Sequence, residues 1–249
     1  MKTAIINGRI ITPHRILDQA SLVMEDGVIE GIVKGRKPEA DCYIDAQGSY
    51  VSPGFIDIHT HGGGGHDFMD GTPEAIIKAC MAHLAHGTTS ICPTTLTCTD
   101  EELLTFFGCY REAGKQMENG PELLGIHLEG PYFSLEQRGA QDPQYIKVPA
   151  KDDYKKLLDA SDDIIRMSAA PELEGAMELA DELKARGILA SIGHSDATYA
   201  HVIEAWERGY THVTHLYSGM STIRRINAYR HLGVIESAYL IDGMTVEII

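Results

Sequence analysis

From Pro53 onward, short apolar runs alternate with longer amphipathic stretches, and this alternation limits the fold more than any other feature of the chain. Runs at Thr88–Thr94, Leu123–Pro131, Ile164–Pro171, Ile188–His194, Thr211–Leu216 and Thr245–Ile249 follow a first one that leads from Pro53 to His61. They are short and largely apolar, and Thr88–Thr94 is rich in β-branched residues, as buried strands are. Between them, Thr72-Pro73 opens a helix that stops near His86-Gly87, and Asp100 to Gln116 forms the next. A capping residue followed by proline marks a helix start, and glycine marks a stop. Further helices are expected from Glu172 to Arg186 and from an Asp196 cap to Arg208, each closed by glycine. Strands alternating with helices give β-α units, a parallel sheet and an α/β class. About seven strands suit an incomplete (β/α)8 TIM-type barrel better than a doubly wound sheet. No G-x-G-x-x-G or Walker pattern opens a helix, which weighs against nucleotide binding.

Residues 1–52 differ in texture and read as a small β-sandwich portion placed before the barrel portion at 53–249. Asn7-Gly8 between Ile5-Ile6 and Arg9–Thr12 spells a hairpin, and Glu25–Gly27 between Leu22–Met24 and Val28–Val33 spells another. Asn-Gly between apolar pairs is a strong turn signal. This portion is expected to be antiparallel and to carry no site.

Composition narrows the partners. A net charge of −15 argues against nucleic acid and against an anionic membrane. An anionic small substrate stays compatible if local positive groups or a metal offset the field. No apolar run has the length of a membrane span. The N-terminus, Met1 to Gly8, turns polar too soon for a signal peptide. Cys42, Cys80, Cys92, Cys98 and Cys109 are odd in number and lack C-x-x-C spacing, so reduced thiols and a cytoplasmic location are expected.

The twelve histidines are many for this length, and several fall where strands end. In Pro53-Gly54-Phe55-Ile56-Asp57-Ile58-His59-Thr60-His61-Gly62, alternation along a strand turns His59 and His61 to the same side. Two imidazoles on one face can grip an ion. In a barrel the chemistry lies at the C-terminal ends of the strands. There the later runs supply Glu129, His194 and His215. Imidazoles with one carboxylate suit a divalent metal, zinc or iron, and a bridging carboxylate could hold two ions. Such a centre activates water and polarises a carbonyl, which points to hydrolysis of an amide or ester. His127, two residues before Glu129, is expected to support the ligands, and His212 to be structural on the other side of its strand. His83, His86 and His201 fall on expected helices and read as solvated or packed, while Cys92 and Cys98 read as core thiols.

The motifs P-G-F-I-D-I-H-T-H-G, H-L-E-G-P at 127–131, I-G-H-S at 192–195 and T-H-L-Y at 214–217 resemble the N-acetylglucosamine-6-phosphate deacetylases, within the metal-dependent amidohydrolase superfamily. The resemblance runs in order along the whole chain. H-T-H-G is shared across the superfamily, whereas the other three motifs together are specific to the deacetylases. It implies that Glu129, His194 and His215 bind the main metal, with His59 and His61 forming a second site in some members. It further implies a homodimer that removes acetate from an N-acetylated amino-sugar phosphate.

By the same resemblance, Ala140, Gln141, Ser218 and Gly219 occupy sugar-contacting positions and Arg225 a phosphate-binding one. Three details depart from the family. Ser218-Gly219 stands where Asn-Ala is usual, Gln141 stands where a histidine is usual, and three arginines (Arg224, Arg225, Arg230) crowd the phosphate region. Family members also continue past the Val246–Ile249 position into Asp-Gly-x-His and an eighth strand bearing the aspartate that moves the proton. The chain is therefore expected to be a fragment whose proton-carrying residue lies beyond it. Asp242 precedes the last strand and does not fit that role. Two other readings remain: hydrolysis of a cyclic amide or N-acyl amino acid, or, for a naturally short chain, an inactive metal-binding scaffold.

Overall fold

The computed structural model describes residues 1–249 as two compact units, Met1–Phe55 and Ile56–Ile249. The first is built on one five-stranded sheet, from β1 (Lys2–Ile11), β2 (Ile16–Glu25), β3 (Val28–Lys34), β4 (Cys42–Asp45) and β5 (Tyr50–Val51). The order β3-β2-β1 is antiparallel as expected, with Asp26-Gly27 at the turn between β2 and β3. β4 and β5, however, both join β1 in parallel.

The hairpin expected at Asn7-Gly8 does not form. β1 runs straight through it, and the register against β2 slips between Ile5 and Gly8. A type I′ turn needs positive φ at both central residues, and here only Asn7 has it, at 58°. One left-handed residue makes a bulge instead. Glycine is required beside it because a Cβ at Gly8 would lie 2.7 Å from Cγ2 of Val51.

The second unit begins with β6 (Phe55–Thr60), then a tiny antiparallel pair, β7 (Gly62–Gly63) and β8 (His66–Asp67). α1 (Pro73–Leu84), β9 (Thr88–Pro93), α2 (Asp100–Gln116), β10 (Glu122–Leu123) and β11 (Ile126–Glu129) follow. The chain continues through α3 (Lys151–Leu158), β12 (Ile164–Ala169), α4 (Ala176–Arg186), β13 (Leu189–Ile192), α5 (Tyr199–Arg208) and β14 (Tyr210–Val213). A hairpin, β15 (Arg224–Ile226) and β16 (Tyr229–His231), then α6 (Val234–Leu240) and β17 (Thr245–Val246) complete it.

β6 pairs β9, and a parallel bridge from Thr94 to His127 carries the sheet on to β11. From there β11-β12-β13-β14-β17 are parallel neighbours in chain order. These are the successive strands of a (β/α) barrel that is not closed, with helices between them. Both helix starts read from sequence in the first half hold. Thr72 accepts from the Ala75 amide, and Thr99 forms a capping box with Glu102. α2 buries Leu103, Phe106, Phe107, Tyr110 and Ala113, a 3.6-residue stripe against the sheet. Each large side chain removed from water there contributes about 1.5–3 kcal/mol. Burial raises the thiols of Cys80 and Cys92 to about 12 and of Cys98 to about 11, so they behave as apolar core groups.

The cap expected at Asp196 falls at Thr198 instead. The Asp196 carboxylate is engaged elsewhere, by the Arg224 guanidinium and by Nε2 of Gln137. α4 likewise starts at Ala176, four residues after the expected Glu172, whose carboxylate takes the Ser195 hydroxyl and the Asp196 amide. α3, α6 and the β15–β16 hairpin have no counterpart among the sequence expectations.

Candidate metal centre

The five side chains singled out from sequence come together at the C-terminal rim of the sheet. Glu129, the last residue of β11, is 2% exposed and stands at their middle. Its Oε1 lies 3.1 Å from Nε2 of His194 and 3.0 Å from Nε2 of His215. Its Oε2 lies 3.1 Å from Nε2 of His61 and 3.5 Å from Nε2 of His59. Two groups with metal-ligand geometry therefore share this carboxylate: His59, His61 and Glu129, and Glu129, His194 and His215.

The second group is the more regular. Nε2 of His194 and Nε2 of His215 are 3.1 Å apart, so the three ligand atoms form a nearly equilateral triangle. Ligands at about 2.0 Å in a tetrahedron are separated by roughly 3.3 Å, so the triangle resembles one face of a zinc-type site. Nδ1 of His194 points at the Gln137 carbonyl, 2.9 Å away. A carbonyl only accepts, so Nδ1 carries the proton and Nε2 offers its lone pair to the centre. Two imidazole nitrogens 3.1 Å apart beside an anion suit a bound cation. Nδ1 of His61 and of His215 are buried without partners, so those rings are oriented only from their Nε2 side. This donor set of imidazoles and one carboxylate fits a divalent transition ion.

Local backbone explains how two histidines reach inward from different strands. β13 ends at Ile192 and β14 at Val213, and the chain then turns through left-handed conformations, φ 47° at His194 and 34° at His215. For a residue with a Cβ this costs on the order of 1 kcal/mol or more and persists only when the surroundings hold it. The His194 carbonyl accepts from the Ser134 amide at 2.9 Å, and the His215 amide donates to Oε2 of Glu247 at 2.9 Å. Gly219, at φ 59°, lies directly behind His194, where a Cβ would come within 2.9 Å of Nδ1.

Beneath the cluster lies a buried polar layer. His127 is fully buried, with Nε2 2.7 Å from Oγ of Ser168 and Nδ1 3.3 Å from Oγ1 of Thr94. Ser168 passes the chain of bonds to Thr214, and Thr214 to Ser191. Burial, with Arg166 nearby, pushes the His127 pKa well below its usual value, so this imidazole stays neutral. Burial opposes ionisation of Glu129, yet the four surrounding imidazoles hold its carboxyl well below the usual range. His212 is separate from the cluster and bonds Oγ1 of Thr245 through Nδ1 at 2.8 Å. His83 packs its Nε2 on the Gly62 carbonyl at 3.0 Å, and His201 sits in the first turn of α5. His86 lies beyond the end of α1 and not on it, since that helix stops at Leu84.

Two charged residues at this rim escaped the sequence reading. Glu247, just past β17, is buried and paired face to face with Arg166 of β12, which reaches Oε1 through both terminal nitrogens at 3.1 Å. Oε2 of Glu247 also accepts from Nδ1 of His59 at 3.0 Å. Burial raises the Glu247 pKa, while the hydrogen bond with His59 and the charge of Arg166 lower it, to a net value of about 2, which makes it a poor proton acceptor. The available signal was a single charge in each of two otherwise largely apolar runs, Ile164–Pro171 and Thr245–Ile249.

The expected sugar and phosphate residues lie around the rim in different states. Gln141 is buried, its Oε1 taking the Thr97 amide at 2.8 Å while its Nε2 donates to Oε2 of Glu129 at 3.3 Å. Ala140 and Ser218 are exposed, and their neighbours Gly139 and Gly219 both lie close against the His194 ring. Arg225 is exposed on β15, directly across from Arg230, with its Nε on the Ala228 carbonyl. Asp242 is exposed in the turn before β17.

Comparison with known proteins places the chain in a family. The amidohydrolase family model matches residues 50–248. The N-acetylglucosamine-6-phosphate deacetylase of Haemophilus influenzae is 34% identical over 239 residues, which cover 94% of this chain and 61% of that protein. The N-acetylgalactosamine-6-phosphate deacetylase of Escherichia coli O157:H7 is 31% identical over 217 residues, 86% of this chain and 56% of that one. A Mycobacterium smegmatis N-acetyl-D-glucosamine-6-phosphate deacetylase mutant, solved in complex with N-acetyl-D-glucosamine-6-phosphate, superposes with a TM-score of 0.85 at 29% identity. That superposition covers 99% of this chain and 63% of the solved one. The chain thus spans about three fifths of the length of the relatives it matches.

Proposed function

The chain belongs to the amidohydrolase family, and on that premise we propose that it is the metal-holding part of a deacetylase acting on N-acetylglucosamine 6-phosphate. The observation that carries this reading is the sharing of Glu129 between two ligand groups. Glu129, His194 and His215 would hold the main ion, and His59 with His61 would complete a second place for one. Zinc or iron suits these donors. A bound ion would supply Lewis-acid polarisation of the acetyl carbonyl and activation of water.

The residues of the chain would do the rest by position. Gln137 and Gly219 fix the ring of His194, and Gly139 brings the Ala140–Gln141 loop to its edge. Ala140, Gln141, Ser218 and Gly219 would then line the sugar. Arg225 and Arg230 face each other across the hairpin, a like-charge pair that costs stability unless an anion joins it. A substrate phosphate would fill that role. Glu247 is not the proton carrier, because Arg166 and His59 keep it ionised and occupied. The catalytic carboxylate is left unassigned within these residues. A homodimer and a cytoplasmic setting complete the reading, the latter supported by five cysteines without a disulfide.

A second reading is favoured by one observation. Gln141, at the position where the deacetylases usually carry a sugar-contacting histidine, is turned onto Glu129, so a different N-acyl sugar such as N-acetylgalactosamine 6-phosphate is the competing substrate. The test is acetate release, measured with zinc- or iron-loaded chain and with any longer gene product that contains it. Release from N-acetylglucosamine 6-phosphate is expected to exceed that from the galactosamine isomer and from N-acyl amino acids. Turnover of N-acyl amino acids alone would overturn the proposal.

A further inference from the structure

Glu247 touches both halves of the candidate centre without belonging to either. Its Oε2 accepts from Nδ1 of His59 at 3.0 Å and from the backbone amide of His215 at 2.9 Å. The same oxygen takes a third donor, a terminal nitrogen of Arg166 at 3.0 Å, and Oε1 takes both terminal nitrogens of that arginine. The second terminal nitrogen also comes within 3.5 Å of Nδ1 of His59, and the first donates to the Ile58 carbonyl at 3.4 Å. The arginine therefore grips the strand that carries His59 as well as the carboxylate that orients it. All three side chains are about 5% exposed, so water competes little for these bonds.

The consequence is a fixed ring. A carboxylate held ionised by a guanidinium can only accept, so Nδ1 of His59 must donate to it. Nε2 then faces Glu129 and is the nitrogen available to an ion. Through the His215 amide, the same oxygen also holds the left-handed turn that aims the other histidine inward. From this geometry we propose that the Arg166–Glu247 pair is a positioning device that sets the metal-facing nitrogen of His59 and couples the two ligand groups. It rests on the metal-holding reading above. Partners of this kind behind a ligating histidine typically change metal affinity by about 10–100-fold.

The test separates positioning from mere structural support. Replacing both members of a buried ion pair by apolar residues of similar size is often close to neutral for stability. The double variant Arg166→Met/Glu247→Met should therefore stay cooperatively folded in urea, at a midpoint lowered only by the His59 and His215 donors it leaves without an acceptor. Co2+ alone is the probe, titrated into metal-free chain and followed by its visible absorption. Expected are an affinity about 10–100-fold weaker than wild type and a shifted absorption band. Glu247→Gln, which keeps one acceptor oxygen and the packing, should fall between the two if the double variant proves unstable. Co2+ binding within about twofold of wild type, with an unchanged band in both variants, would overturn the proposal. A wild-type chain that binds no Co2+ contradicts the metal-holding reading itself, so the two failures are distinct.

Discussion

Oε1 of Glu129 lies 3.0 Å from Nε2 of His215, across 86 positions of sequence. That one contact spans the ends of β11 and β14 and passes over two intervening strands. It exists because a curved parallel sheet turns the C-terminal ends of its strands toward a common axis. Since Oε2 of the same carboxylate faces His61, a single side chain ties together elements from both ends of the barrel unit. Burying that carboxylate would be costly without partners, and four imidazoles offset the cost.

Gly219 carries a prediction about the wall behind His194. Its φ of 59° is one that side chains resist, and an added Cβ would press on His194 Nδ1 at 2.9 Å and the Gln137 carbonyl at 3.1 Å. Gly219→Ala should cost about 1–3 kcal/mol in urea unfolding and weaken metal uptake at the same time. A variant that loses stability but binds Co2+ as wild type does would show that the contact with His194 is unimportant.

The polar layer under the cluster predicts the opposite pattern. Ser168→Ala removes the hydroxyl that sits 2.7 Å from both His127 Nε2 and Thr214 Oγ1. A buried imidazole left one partner short costs about 1–3 kcal/mol. Unfolding should shift by that amount while metal stoichiometry is retained, because no ligand atom is touched. Unchanged stability would contradict the assignment of this layer as a buried hydrogen-bonded floor.

Thiol chemistry checks the core independently. Burial raises Cys80, Cys92, Cys98 and Cys109 above the ordinary thiol value, so little thiolate is present at pH 8. Cys42 is the one exposed cysteine. Iodoacetamide at pH 8 should label Cys42 first in the folded chain, with the others reacting only after denaturation. Rapid labelling of Cys80 or Cys92 in the native state would mean that the helix layer over the sheet is not closed.

Much of this arrangement was legible in the sequence because two periodicities were clean. Alternation placed His59 and His61 together, and the helices expected from Thr72-Pro73 and from Asp100 both appear, each capped by the threonine before it. The ligand residues were readable because each ends an apolar run. What escaped depends on partners distant in sequence. Glu247 and Arg166 are 81 positions apart, and neither side chain reveals alone that it is paired. Asp196 carries the chemistry of a cap, but an arginine from the β15–β16 hairpin claims it and passes the cap to Thr198. Asn7-Gly8 carries the chemistry of a turn, but pairing on both sides of β1 keeps the strand straight. α3 was missed because its first turns are charged, with only Tyr154 and Leu158 buried.

The central claim, that one carboxylate serves both ligand groups, is tested most directly by counting ions. Metal-free chain is dialysed against Zn2+ and the bound metal measured by atomic emission for wild type, His61→Ala and Glu129→Gln. Wild type should bind zinc tightly, His61→Ala should keep the ion held by His194 and His215, and Glu129→Gln, still folded by circular dichroism, should keep none. Zinc retained by Glu129→Gln at the wild-type level would contradict the shared-carboxylate centre.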